Sequence, residues 1–242
     1  MDLLDWTKLH PDIKVAFTKK KYFNEYNYKL TYCVPGARLL TYKCPTEFAL
    51  MQRVNSYNSR SNNFTHGMVL WAPRWYRETA DFDQLRSFYE VYNNIKDGAK
   101  LRVEQDTLNI YSDSEAYLYR IANTMLGDQK ACLREICKPE SANAKHMLNQ
   151  GFTLVKKQPT HPYRLRIRDG FQYAAERKCL ADYLKNLNDD VKISEYMLAR
   201  LGDGHKYFNG GYVYLKDPRI VDVLILVAPN LIGTVNQLII NN

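Results

Sequence analysis

The sequence predicts an α+β protein. Its sheets are expected to be antiparallel and built from repeated ββα units, with helices packed on one face and a ferredoxin-like order within reach. Three observations carry this expectation. Short runs of alternating apolar and polar residues recur along the chain, which is the mark of half-buried strands. Turn-forming residues separate them at Gln105-Asp106-Thr107 and at Asn209-Gly210-Gly211. Helix-start signals follow pairs of such runs, and strings of this kind bury their apolar faces by laying helices on one side of a sheet.

The elements follow in order. KKKYFNEYNYKLTYCV (19–34) alternates about a polar middle and predicts a hairpin, and Pro45-Thr46-Glu47 opens a helix to about Tyr57. NSYNSRSNN (55–63) is polar throughout and predicts a mobile loop. KLRVEQDTLNIYSD (100–113) predicts two strands and a tight turn. Ser112 and Glu115 have capping-box spacing, which starts a helix over AYLYRIANTML that ends at Gly127. The next stretch predicts two short helices broken at Pro139 and closed by Gly151, and it contains the expected boundary between modules 1–127 and 128–242, with one continuous domain as the alternative.

FTLVKKQ and PYRLRIRD predict two extended runs, with a helix from Asp169-Gly170-Phe171-Gln172 through Leu187. Tyr207 and Phe208 lead into the Asn209-Gly210-Gly211 turn, and YVYLKD follows as a strand. Asp217 and Pro218 suit a helix start, and IVDVLILVA, apolar nearly all round, predicts a deeply buried helix. The last 20 residues carry no charge, but Pro229, Asn230, Gly233 and Asn236 interrupt them. A helix stopping near Pro229 and a second apolar piece are therefore expected, with no membrane partner.

Composition narrows the classes of function. With 45% hydrophobic and 25% charged residues the chain can bury a real core. Lys and Arg total 34 against 26 Asp and Glu, a net charge of +8 that favours anionic partners such as nucleic acid. Cys33, Cys44, Cys132, Cys137 and Cys179 are odd in number and form no CxxC. That points to a reducing compartment, and MDLLDWTKLH lacks the apolar run of a signal peptide, so a cytoplasmic or virion location is expected.

The candidate site is HPYRLRIRDG (161–170). Read as a strand, it sends Arg164, Arg166 and Arg168 to one face, ~6.6 Å apart, where they match the phosphates of an extended nucleic-acid strand. Lys156 and Lys157 are expected on the neighbouring strand. Basic-aromatic stretches at Lys19-Lys20-Lys21-Tyr22-Phe23 and around Arg74, Trp75 and Arg77 have the same character. Charge along the backbone and rings on the bases is how single strands are held without sequence preference. The plain alternatives are a solvated face, or arginines paired to carboxylates on a neighbouring strand.

The reading is therefore a non-enzymatic basic protein binding single-stranded nucleic acid or RNA, with the Lys-, Asn- and Tyr-rich composition of a viral or phage accessory protein. A second reading is a virion or complex subunit, a homo- or hetero-oligomer assembled through aromatic and arginine contacts. A third is a metal-dependent phosphate-processing enzyme using Asp81 and Asp83, although Asp81 before Gln84 also suits a helix N-cap. No catalytic set, metal site or cofactor motif is predicted: the chain has no P-loop, no GxGxxG and no GxSxG.

Overall fold

A computed structural model describes residues 3–41, 46–65, 79–95, 98–168, 173–203 and 208–241. The chain divides into two compact units, Met1–Lys145 and His146–Asn242. Each is built on a five-stranded mixed sheet.

The first unit contains α1 (Leu3–Leu9), β1 (Lys14–Phe17), β2 (Tyr28–Cys33), α2 (Glu47–Thr65), α3 (Phe82–Asn94), β3 (Ala99–Glu104), β4 (Thr107–Ser112), α4 (Glu115–Arg120) and β5 (Leu133–Lys138). The strand order is β1-β5-β2-β4-β3, antiparallel except for the parallel pair β1 and β5. Alternation sends Leu30, Tyr32, Leu108, Ile110 and Ile136 to one face, where they are buried together with Leu50 and Val54 of α2 and Leu85 and Phe88 of α3. Phe88 meets Tyr32 edge-on at 5.2 Å. Each such side chain contributes roughly 1.5–3 kcal/mol by leaving water.

Capping and close approach fix the joints. Asp81 caps α3, accepting from the Gln84 N–H at 2.9 Å. Asn58 of α2 donates to the Ala80 carbonyl and accepts from its N–H, at 2.8 and 2.7 Å, which ties the two helices together. Gly36 has φ 76°, and a Cβ there would lie 2.5 Å from that of Ala80, so both backbone angle and space require glycine.

α5 (Ala142–Asn149) leads into the second unit. That unit contains β6 (Thr153–Val155), β7 (Tyr163–Ile167), α6 (Ala174–Asn186), β8 (Val191–Lys192), α7 (Glu195–Gly202), β9 (Gly211–Leu215), α8 (Ile220–Val227) and β10 (Ile232–Ile240). The order is β6-β10-β7-β9-β8, with β6 and β10 parallel and the other pairs antiparallel. Leu165, Ile167, Val213 and Leu215 form one face of the sheet and are buried with Leu180 and Leu184 of α6, Met197 and Leu201 of α7, and Leu224 of α8.

Several expectations change. Both sheets are mixed rather than purely antiparallel. The expected hairpin over 19–34 supplies β2 alone: the residues before it make a loop closed by an isolated Tyr22–Tyr26 bridge, and β2 pairs with β4 and β5. β3 and β4 do pair as neighbours ahead of a helix, with Gln105 at φ 58° in the turn, but β6 and β7 are separated by β10. The cap of α4 is Ser114, which accepts from the Tyr117 N–H, while Ser112 instead accepts from Ser114. The expected loop 55–63 is helical: Val54, Tyr57 and Ser61 are buried at helical spacing, so a polar run is the solvent side of an amphipathic helix. The expected helix after Gly127 is a 3-10 segment followed by β5.

At the C-terminus the uncharged stretch folds as α8, a break at Pro229 and β10. α8 is less buried than expected, with Val223, Ile225 and Leu226 exposed at 39%, 45% and 84%. Among the described residues no helix is long and apolar enough to cross a membrane. Tyr207 and the Asp169–Gln172 helix start lie outside the described residues.

Candidate nucleic-acid interface

β7 is the middle strand of the second sheet, so its two sets of side chains go to two different worlds. Leu165 and Ile167 enter the helix-covered core, while Arg164 and Arg166 stand on the opposite face. The register completes that face. Arg164 lies opposite Tyr214 of β9 and Asn236 of β10, Arg166 lies opposite Tyr212, and Lys192 of β8 lies opposite Tyr214. Cations and phenol rings thus alternate across neighbouring strands.

Arg166, Lys192 and Tyr212 are exposed, and Arg164 and Tyr214 are half-buried. The Arg164 guanidinium stacks on the diagonal Tyr212 ring, 4.8 Å from its centroid, and donates from Nη2 to Thr153 Oγ1 at 3.2 Å. Its Nε is buried and has no acceptor among the described residues. Arg168 is exposed just past the end of β7, where its backbone N–H donates to the Leu231 carbonyl at 2.8 Å. At the bulge in β10 a Cβ on Gly233 would lie 2.7 Å from the Arg166 carbonyl oxygen, so glycine lets β10 pass close to β7.

The alternative of carboxylate partners can be checked directly. Among the described residues no Asp or Glu pairs with Arg164, Arg166 or Arg168. Four of the unit's acids are paired with other cations: Asp182 with Lys185, Asp190 with Lys216, Asp203 with Arg200 and Asp217 with Arg219. His146–Asn242 holds 13 Lys and Arg against 9 Asp and Glu, so the unit is basic even before local geometry is considered.

Two cavities border this face. One, of about 520 Å³, lies between α7 and β9 and is lined by Tyr196, Met197, Phe208, Tyr212, Lys192 and Tyr214 among others. The second, of about 390 Å³, is lined by Pro159, Thr160, His161, Leu238 and again Lys192 and Tyr214. His161 Nε2 meets the Asp189 carbonyl oxygen at 3.1 Å; a carbonyl only accepts, so that nitrogen carries the proton, and Nδ1 accepts from Thr160 Oγ1 at 2.9 Å.

The other sequence-derived candidates fall elsewhere. Lys156 and Lys157 are exposed just after β6, which is separated from β7 by β10, so they do not flank the arginines as neighbours. Lys19, Lys20 and Lys21 belong to the first unit, in the loop between β1 and β2. The rings that follow them are already engaged: Tyr22 and Phe23 pack on Tyr111 at 5.3 and 5.0 Å. Lys29 and Lys100 in turn sit 5.9 and 3.9 Å from the centroids of Tyr22 and Phe23. Arg74, Trp75 and Arg77 lie outside the described residues. Asp81 is committed to capping α3, and Asp83 faces solvent near Arg86 at 3.9 Å. The described residues contain no cluster of three or more His, Cys, Asp or Glu able to hold a metal ion.

Beside the Lys19–Phe23 loop lies a polar cluster of the first sheet. Glu135 accepts from Lys14 and Lys29, each at 3.0 Å, and from the Cys137 thiol at 3.2 Å. Burial alone would raise its pKa, but the lysines outweigh burial and hold the carboxyl down at about 2. Burial, reinforced by the adjacent carboxylate, pushes the Cys137 thiol up.

Sequence reasoning missed Lys192, Tyr212 and Tyr214. The signal was present in YVYLKD, whose alternation sends Val213 and Leu215 inward and both tyrosines outward. Lys192 had no such signal, because a two-residue strand has no period to read. Compared with protein-family models, curated proteins and solved structures, the chain matches none of them.

Proposed function

We propose that this chain binds single-stranded nucleic acid, RNA or DNA, with little sequence preference, across the open face of the second sheet. The observation that carries the proposal is the sheet face opposite the α6–α8 core, on which Arg164, Arg166 and Lys192 stand among Tyr212 and Tyr214 with no carboxylate partner for the arginines among the described residues. The chemistry is non-covalent. Guanidinium and ammonium groups neutralise phosphates, and counterion release drives association. The tyrosine rings offer flat apolar surfaces to unpaired bases, and because every base has a π-face such stacking tolerates any sequence. Affinity is expected to follow charge and stacking.

The test is fluorescence anisotropy with labelled decathymidylate at several salt concentrations. With about 3 to 5 phosphates neutralised, log affinity falls against log salt with a slope near −2 to −3.5. The triple variant Arg164→Ala, Arg166→Ala, Arg168→Ala is expected to bind at least tenfold more weakly with an unchanged circular dichroism spectrum. Undiminished binding by that folded variant would remove the proposed surface.

A further inference from the structure

Lys192 and Tyr214 line both cavities. They are opposite one another in the β8–β9 register, so together they form a wall with a hollow on each side. Both volumes, about 520 and 390 Å³, lie within the ~300–1,000 Å³ range of small-ligand sites. The linings share a chemistry. The larger cavity offers the rings of Tyr196, Phe208 and Tyr212, and the smaller offers Pro159, the His161 ring and Leu238. Among the described residues no Asp or Glu lines either, whereas Arg200 lines the larger and Lys192 lines both. A wall with a ring and a cation, between two flat-sided apolar hollows, matches two planar groups joined by an anion.

We infer that the two cavities are successive base subsites for one dinucleotide unit, with Lys192 on the phosphate that joins the two nucleosides and Tyr214 between the bases. This rests on the proposed single-strand binding and adds to it a fixed register. The wider face supplies sequence-tolerant attraction, and this corner sets where one pair of nucleotides sits. The fixed orientation of His161, held through both ring nitrogens, gives the smaller hollow a rigid wall rather than a mobile one.

The discriminating probes are thymidylyl-thymidine (dTpT) and thymidine 5′-monophosphate, titrated into the full chain by calorimetry. The monophosphate has the greater negative charge, so attraction by charge alone makes it the tighter ligand. Two base subsites reverse that order, and dTpT is expected to bind at least tenfold more tightly. Lys192→Ala, at an exposed position, and Tyr214→Leu, which keeps a strand-compatible side chain, are each expected to weaken dTpT about tenfold. If dTpT binds no better than the monophosphate, or is indifferent to Lys192→Ala, while decathymidylate still binds in a salt-sensitive way, the subsites are wrong and the sheet-face reading stands. If decathymidylate itself does not bind, both fall together.

Discussion

The polar faces of the two sheets are made from similar residues and arranged to opposite ends. In the first sheet one cross-strand row runs Lys14–Glu135–Thr31–Asn109–Arg102, and the next runs Cys137–Lys29–Tyr111–Lys100. Glu135 holds two lysines, Thr31 donates to Asn109 at 2.9 Å, and Tyr22 and Phe23 from the sheet's own β1–β2 loop lie on Tyr111. In the second sheet the corresponding side chains are Arg164, Arg166 and Lys192 with Tyr212 and Tyr214, and no acid stands among them in the described residues. A single carboxylate and one folded-back loop convert a basic aromatic face into a structural one. Where no such carboxylate stands among the described residues, Arg166, Lys192 and Tyr212 stay exposed. Composition cannot separate the two cases, since Lys19-Lys20-Lys21-Tyr22-Phe23 is as basic and aromatic as the strand that carries Arg164 and Arg166.

The comparison breaks first at Glu135. Replacing it with Gln leaves Lys29, whose side chain is 20% exposed, without its anion, and a destabilisation of roughly 2 kcal/mol at pH 7 is expected. The pH dependence has a definite sign. The folded pKa of about 2 lies below the ordinary 4.5, so this stabilisation is complete above about pH 4.5 and is lost as pH falls through 2. The native chain and Glu135→Gln should therefore differ at pH 7 and converge near pH 2. All three tryptophans fall within residues 1–145, so tryptophan emission during urea unfolding reports on the first unit by itself. Equal midpoints at pH 7 would show that Glu135 does not hold this face together.

The converse change puts an acid where the second sheet has none. Asn236 faces Arg164 directly across the β7–β10 pair, so Asn236→Asp introduces a carboxylate of the same shape at cross-strand distance. It is expected to pair with Arg164, leave stability the same or raise it by up to about 1 kcal/mol, and weaken decathymidylate binding about tenfold. Binding as tight as that of the native chain would mean that Arg164 is not part of the surface, and the contrast between the sheets would then rest on Arg166 and Lys192 alone.

The outline of both sheets was legible where periodicity was clean. β3, β4, β7 and β9 alternate without interruption, and the tie from Asp81 to Gln84 was visible as a cap. β5 was hidden by its register shift. Leu133 and Ile136 both face the core, three residues apart, and that spacing imitates a helix. Strand order was not legible at all. Nothing in 14–33 announces that β5, more than 100 residues away, inserts between β1 and β2, because pairing partners are chosen by packing of the whole face rather than by local pattern. The arginine row was readable from alternation alone, but its neighbours were not, so Lys156 and Lys157 were assigned to the wrong side of β10.

The smallest expected effect concerns why an arginine occupies position 164. Its buried Nε has no acceptor among the described residues, a defect that costs about 1–3 kcal/mol. Against this stand one charge-assisted hydrogen bond to Thr153 and the stacking on Tyr212, each worth about 0.5–3 kcal/mol. These magnitudes nearly cancel, so the half-buried side chain is not explained by stability. Arg164→Met, which fills similar space with no donor, is expected to shift the unfolding free energy of the second unit by less than about 1 kcal/mol while weakening decathymidylate severalfold. The two readouts separate the causes. A variant that loses several kcal/mol would make Arg164 a structural residue like Lys29 of the first sheet, and the asymmetry between the two faces would shrink by one of its main members.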